Sequence, residues 1–195
     1  MKKIYFIMAL IAMLFIACKE DELFKSGEEV TFVNGHCAVD LGLSVKWATC
    51  NIGASSPEDN GNYYAWGKTT TKIIYNSNNA PTDYNGNDIT GNYKYDAAVA
   101  NWGDGWRMPT YNEFNELIVN CYWEKSYSSV NGYKITSKIN GNSIFMPAAG
   151  WRDAFMIFDV GSKFCYWSSI AYEEDNTNAY YLGVDDGGIR MKNIN

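Results

Sequence analysis

The chain has one histidine, His36, and no Cys-x-x-Cys pair among its five cysteines. That removes the ligand spacings of structural zinc sites and the thioredoxin-type redox motif. Basic residues are also scarce, with 16 Lys plus Arg against 22 Asp plus Glu and a formal charge of −6. Nonspecific nucleic-acid binding needs a basic surface to release counterions from phosphates, so no nucleic-acid partner is expected. The N-terminal apolar run, Ile4 to Ala17, is short of the roughly 20 residues of a membrane span. What is present is a chain of 195 residues that is 47% hydrophobic, enough for one sizeable domain and too apolar for wholesale disorder. Aromatics make up 16%, with 15 Tyr and 7 Trp, rigid amphipathic groups suited to a core or a binding surface.

Met1-Lys2-Lys3 followed by the uncharged run to Ala17 has the pattern of a secretory signal. The run closes on Leu14-Phe15-Ile16-Ala17-Cys18, which resembles a bacterial lipobox. That resemblance implies a signal peptide over 1–17, cleavage before Cys18 and diacylglycerol on its thiol. Acyl chains contribute about 0.8 kcal/mol per buried methylene, so several anchor a protein stably to a membrane. Lys19-Glu20-Asp21-Glu22 resembles the surface-export signal of Bacteroidetes lipoproteins and opens an acidic tether over 18–29. The expected location is the outer membrane, lipid-anchored and facing the cell exterior. Loss of two lysines with the signal takes the charge from −6 to −8. Cys37, Cys50, Cys121 and Cys165 remain, in a compartment that permits disulfides. Four cysteines allow three connectivities, and spacing does not choose among them.

The domain over 30–195 reads as α+β: many short strands, two helices and long loops. Strands are expected at 30–33, 39–41, 45–48, 62–66, 133–136, 143–146, 166–170, 179–184 and 189–191. Residues 76–92, dense in Asn, Asp, Gly and Pro, read as a long loop. Thr110-Tyr111-Asn112-Glu113 has the capping-box pattern, and Phe114, Leu117, Ile118 and Cys121 continue it as one apolar helical stripe. A shorter helix is expected over 95–101. Asn140-Gly141 suits a hairpin turn, and Asp185-Asp186-Gly187-Gly188 a second turn.

Five islands follow one another in order. They are Val39-Asp40-Leu41-Gly42-Leu43-Ser44-Val45-Lys46-Trp47-Ala48-Thr49-Cys50-Asn51-Ile52-Gly53-Ala54, Tyr64-Ala65-Trp66-Gly67-Lys68-Thr69, Trp102-Gly103-Asp104-Gly105-Trp106-Arg107-Met108-Pro109-Thr110 with Glu113, Phe145-Met146-Pro147-Ala148-Ala149-Gly150, and Tyr166-Trp167-Ser168-Ser169. Together they resemble the Fibrobacter succinogenes major paralogous domain, found in Bacteroidetes lipoproteins. The resemblance covers Cys37 to Asn195 and implies a fold of the C-type lectin-like and formylglycine-generating-enzyme-like group. It also implies one strand beyond Ile189-Arg190-Met191, so the last strand of the family is missing here. The family has no single defined activity, and a fold does not assign one.

An enzyme is not expected. His36 and Cys37 are neighbours, and in a strand neighbours point to opposite faces. Cys165 lies near the region where formylglycine-generating relatives carry their cysteines, but Phe164-Cys165-Tyr166-Trp167 does not match their motif. No cofactor or metal is expected either. Lectin-like folds can use calcium, yet Glu173-Glu174-Asp175 and Asp185-Asp186 show no calcium-loop spacing, and no Glu-Pro-Asn sugar motif is present. Arg107 is expected to pair with a buried acid or to cap the core, and Trp47, Trp66, Trp102, Trp106 and Trp167 to serve the core. Binding candidates lie between the islands: Tyr75, Tyr84, Tyr93, Trp151, Arg152, Tyr172, Tyr180 and Asp185. Aromatic faces can stack on sugars or anchor a protein partner, with polar neighbours supplying hydrogen bonds.

The leading expectation is a surface lipoprotein whose single lectin-like domain binds an extracellular glycan or protein. The alternative is an accessory subunit of a surface appendage or lipoprotein complex. An enzyme of the formylglycine-generating type ranks third. The missing strand would leave a sheet edge uncovered. A version extended by a family-like final strand should therefore melt at a higher temperature than this chain, and equal melting temperatures would overturn that expectation.

Overall fold

The computed structural model describes residues 30–76, 83–127, 129–185 and 188–194. The signal peptide, Cys18 and the tether lie outside the described residues. The architecture is α+β and mainly β, built from small antiparallel sheets and two helices.

β1 (Val30–Val33) and β2 (His36–Val39) form a hairpin about Asn34-Gly35, where both residues have positive φ. Asn and Gly tolerate that conformation, and the resulting turn matches the twist of the flanking strands. β3 (Trp47–Ala48) adds to β2 through Val39↔Trp47. The loop between them is held by Glu116, whose carboxylate accepts from the Ser44 amide at 3.1 Å. Then come α1 (Ala97–Trp102) and α2 (Tyr111–Asn120). The capping box is formed: Thr110 Oγ1 accepts from the Glu113 amide, and Glu113 accepts from the Thr110 amide at 2.8 Å.

β4 (Cys121–Tyr127), β5 (Asn131–Ser137) and β6 (Ser143–Pro147) make a meander. In β5, Tyr133, Ile135 and Ser137 are buried and alternate with the less buried Lys134 and Thr136. Their partners Met146 and Ile144 are buried on the facing strand. β7 (Trp151–Asp153) and β8 (Met156–Phe158) form a short exposed hairpin. β9 (Cys165–Tyr172), β10 (Asp175–Asp185) and β11 (Gly188–Ile194) form the last sheet, in the order β11-β10-β9. α2 lies against this sheet and against β4. Phe114 and Leu117 of α2 join Val39, Ile135, Phe164 and Leu182 in the largest core cluster.

Two sequence expectations change. The stretch 62–66 is not a strand. Its carbonyls are taken by side chains instead of a ladder: Trp167 Nε1 donates to Tyr64 O at 3.0 Å, and the Tyr75 hydroxyl donates to Tyr63 O. Cys121 is not the last residue of the α2 stripe. It opens β4, because Cys121 to Tyr127 pair residue by residue with Ser137 back to Asn131. Residues 76 and 83–92 carry neither helix nor strand. Residues 77–82 of the expected loop lie outside the described residues.

Asp96 is fully buried and caps α1. Its Oδ1 accepts from the Ala98 amide at 2.8 Å and the Val99 amide at 3.3 Å. Its Oδ2 accepts from Gly91 N at 2.8 Å and Met108 N at 2.9 Å. Replacing it by Ala would strand four amide donors, each costly to bury unpaired. Asp96→Ala should lose about 3–5 kcal/mol of stability in a denaturant titration. Asp96→Asn should lose less, because one amide oxygen still accepts while its NH₂ faces donors.

Candidate ligand-binding cavity

Between β3, α1 and the N-terminal half of β9 the fold leaves a cavity of about 1610 Å³. Cys50, Asn51, Ile52, Asn60 and residues 62–66 form one wall, with no regular structure of their own. Hydrogen bonds from aromatic and amide side chains hold that wall in place. Tyr63 donates to Ala149 O at 2.7 Å, and Trp66 Nε1 to Ser168 O at 2.9 Å. Asn51 Nδ2 donates to Asn60 O at 3.0 Å and to the Tyr166 hydroxyl at 2.9 Å, while that hydroxyl donates to Pro147 O at 3.0 Å. Burial pushes the Tyr166 hydroxyl well up, so it stays protonated as a donor. Gly150 closes the wall at φ +71°, where an added Cβ would lie 2.0 Å from Phe158 O, so only glycine fits.

The lining is mostly apolar and aromatic, and two of its residues, Trp47 and Arg152, carry a buried nitrogen without a partner among the described residues. Trp47 is 7% exposed, and its Nε1 has no hydrogen-bond partner among the described residues. Buried indole N–H groups normally find an acceptor. The lining also holds six cationic side chains, Lys46, Lys68, Arg107, Arg152, Lys163 and Lys192, against three acids, Asp83, Glu113 and Asp153. A chain of net charge −6 thus surrounds this cavity with a cationic excess.

The binding candidates divide. Tyr75, Tyr84, Trp151 and Arg152 all line the cavity. Tyr84 packs on Tyr95 with ring centroids 4.7 Å apart and donates to Asp88 O at 2.6 Å. Trp151 stacks on Phe158 at 4.8 Å, and its Nε1 donates to Asp159 at 3.0 Å. The Arg152 guanidinium lies 5.3 Å from the Tyr75 ring centre and donates to Ile73 O at 2.8 Å. Its Nε is buried without a partner among the described residues. Tyr172 and Tyr180 sit elsewhere, in an aromatic trio with Tyr111. Tyr93 is exposed and bonds Asp104 at 2.8 Å. Asp185 ends β10, opposite Gly188. Tyr63, Tyr64 and Trp47 were not among the candidates, yet all three line the cavity. The doublet of tyrosines before Trp66 was the available signal, and a strand reading hid it.

The thiols are ill-suited to attack. Cys50, Cys121 and Cys165 are free, so none of the three connectivities open to Cys37, Cys50, Cys121 and Cys165 forms. Burial pushes all three thiols up, which suppresses the thiolate. His36 stacks on Trp102 at 4.2 Å, and burial lowers its pKa. Among the described residues no group of three or more His, Cys, Asp or Glu side chains is placed to hold a metal ion. Glu174 accepts from the Tyr172 hydroxyl, and Asp175 from Asn178 at 3.1 Å, so these acids do not converge as calcium ligands would. Comparison with known proteins finds no matching family model, no matching curated protein and no matching solved structure.

Arg107 pairs with Glu113 at the foot of the cavity through two parallel bonds, Nη1 to Oε2 at 2.8 Å among them. Burial raises the Glu113 carboxyl, but the bonds from Arg107 and the Thr110 amide outweigh it and hold it below the usual range. A carboxyl so depressed stabilises the fold above its unfolded pKa, and that contribution is lost as pH falls through the folded value. Between roughly pH 5 and 3 the wild type should therefore lose melting temperature more steeply than Glu113→Gln. Parallel pH profiles would show that the pair carries no acid-sensitive stability.

Proposed function

We propose that this chain is a lipid-anchored, surface-exposed lipoprotein whose single lectin-like domain, resembling the Fibrobacter succinogenes major paralogous domain, binds an extracellular glycan or protein in the aromatic cavity. The observation that carries the reading is a cavity walled by tyrosine and tryptophan, Tyr63, Tyr75, Tyr84 and the exposed Trp151 among them. Binding sites combine apolar, often aromatic walls with a few fixed polar groups, and Lys46, Asp83 and Asp153 are exposed polar side chains of this lining. The ordered sequence islands and the lipobox-like Leu14 to Cys18 support the domain and the anchor. The Cys18 sulfur would carry the lipid as a thioether and hold the domain at the membrane.

The reading makes one joint test. Cells expressing the chain should incorporate labelled palmitate into it, and Cys18→Ala should abolish the label. The purified mature protein should find a ligand on a glycan array or in a cross-linked pull-down. Arg152→Ala should weaken that ligand about tenfold or more, read by tryptophan fluorescence. No palmitate label would remove the anchor. No ligand in either screen would remove the binding function.

A further inference from the structure

The β7–β8 hairpin exposes apolar side chains where a surface hairpin ordinarily shows polar ones. Its register is Trp151↔Phe158, Arg152↔Ile157 and Asp153↔Met156, so Ala154 and Phe155 make the tip. Phe155 is 71% exposed, Met156 50% and Ile157 46%. Ile73, 85% exposed, joins them from a distant segment. Its carbonyl accepts from Arg152 Nη2 at 2.8 Å, and it shares a small hollow with Ile157. Two residues on, Tyr75 N donates to Ala154 O at 2.9 Å. Contiguous exposed apolar groups of this kind mark an interaction surface. Phe155, Met156 and Ile157 are not part of the cavity lining, so this surface is separate from the ligand site.

The shape of the tip selects its occupant. Opposed residues of an antiparallel pair share a face, and successive residues alternate between faces. Met156 therefore lies on one face of the hairpin and Ile157 on the other, with Phe155 at the end. A flat partner or a second copy would cover one face, whereas a lipid surface surrounds a projecting tip on every side. The root suits that medium too: Trp151 Nε1 donates to Asp159 at 3.0 Å, and a tryptophan with one polar end belongs at headgroup level. Exposed Asp153, opposite Met156, has to stay with the headgroups, which keeps insertion shallow. Reach is sufficient as well. Residues 18–29 separate Cys18 from β1, and a chain of that length spans at most about 40 Å. A domain of this size is about 40 Å across, so any face can reach the membrane that would hold Cys18. A short tether also keeps the domain at high effective concentration, so a weak contact is populated.

We propose that the tip of the β7–β8 hairpin, Phe155, Met156 and Ile157 with Ile73 beside it, inserts into the acyl-chain boundary of the lipid surface to which Cys18 tethers the chain. This rests on the lipid-anchor reading and adds a second point of attachment, one that fixes how the domain faces the membrane. Two modest membrane signals together hold a protein where one gives only marginal binding. The contact is apolar, so salt that screens charges leaves it intact.

The test uses the mature full chain carrying Cys18→Ser, which removes any lipid, with phosphatidylcholine vesicles at millimolar lipid. The chain should cosediment saturably with the vesicles. Phe155→Ser combined with Ile157→Ser should weaken that partitioning at least tenfold, and Tyr122→Ser, at an exposed aromatic of β4, should leave it unchanged. In a Phe155→Trp variant, brominated acyl chains should quench the added fluorescence, and in Tyr122→Trp they should not. Raising salt from about 0.1 to 0.5 M should release no protein. Absence of cosedimentation, equal quenching of the two added tryptophans, or release by salt overturns insertion. Dimerisation in sedimentation velocity that Phe155→Ser abolishes, without vesicle binding, gives the face to a second copy and overturns it as well. The anchor stands or falls separately on the palmitate label. Label without vesicle binding removes the insertion alone, and vesicle binding without label removes the anchor and leaves the hairpin as the membrane contact.

Discussion

One buried carboxylate holds the middle of this domain together. Asp96 accepts from the amides of Gly91, Ala98, Val99 and Met108, which belong to three different segments. The first is the end of the long loop, the second is α1, and the third is the stretch that feeds α2. None of the three could be buried alone without orphan amide groups, because a six-residue helix has almost no internal bonds to spare. Meeting at one side chain, they satisfy one another. The approach to α2 is fixed next to it, where Arg107 grips Glu113 and Glu113 in turn caps the helix.

The rest of the architecture follows a similar economy. Among the described residues no sheet exceeds three strands, so ladders alone do not connect them. Aromatic side chains bridge the gaps by donating to backbone carbonyls far away in the chain. Trp106 Nε1 reaches Val33 O, Trp66 Nε1 reaches Ser168 O and Trp167 Nε1 reaches Tyr64 O, each near 2.9 or 3.0 Å. Each bond fixes the direction of a large ring as well as satisfying a carbonyl. The high aromatic content is thus structural cross-bracing in part. Such bracing can hold walls apart, and the cavity lies between walls held this way.

The thiols along the walls are kept protonated by burial, and the single histidine is spent on stacking against Trp102. The lining also carries more cationic than acidic side chains, with Arg107 held by Glu113 and Lys163 by Asp159. These can orient and select a ligand.

Much of the local structure was legible in the sequence, because it depends on neighbours along the chain. Thr110 and Glu113 announce the start of α2, Asn140-Gly141 the β5–β6 turn, and the alternation about Ile135 and Ile144 two strands with one buried face. Of the two structural roles open to Arg107, the structure has it paired with an acid, Glu113. The stretch 62–66 was misread, because tyrosine and tryptophan suit a strand and a cavity wall equally, and only distant acceptors and donors decide between them. Asp96 carried no local sign of its four partners, and the binding candidates could not be sorted by composition. Tyr84 and Trp151 share a cavity 67 positions apart while Tyr93, nine positions from Tyr84, does not reach it. Sequence by itself determined which segments coil and pair locally, since capping, turn chemistry and periodicity act over a few residues. The cavity was decided by tertiary structure alone, because it exists only where segments far apart in the chain fail to close on one another.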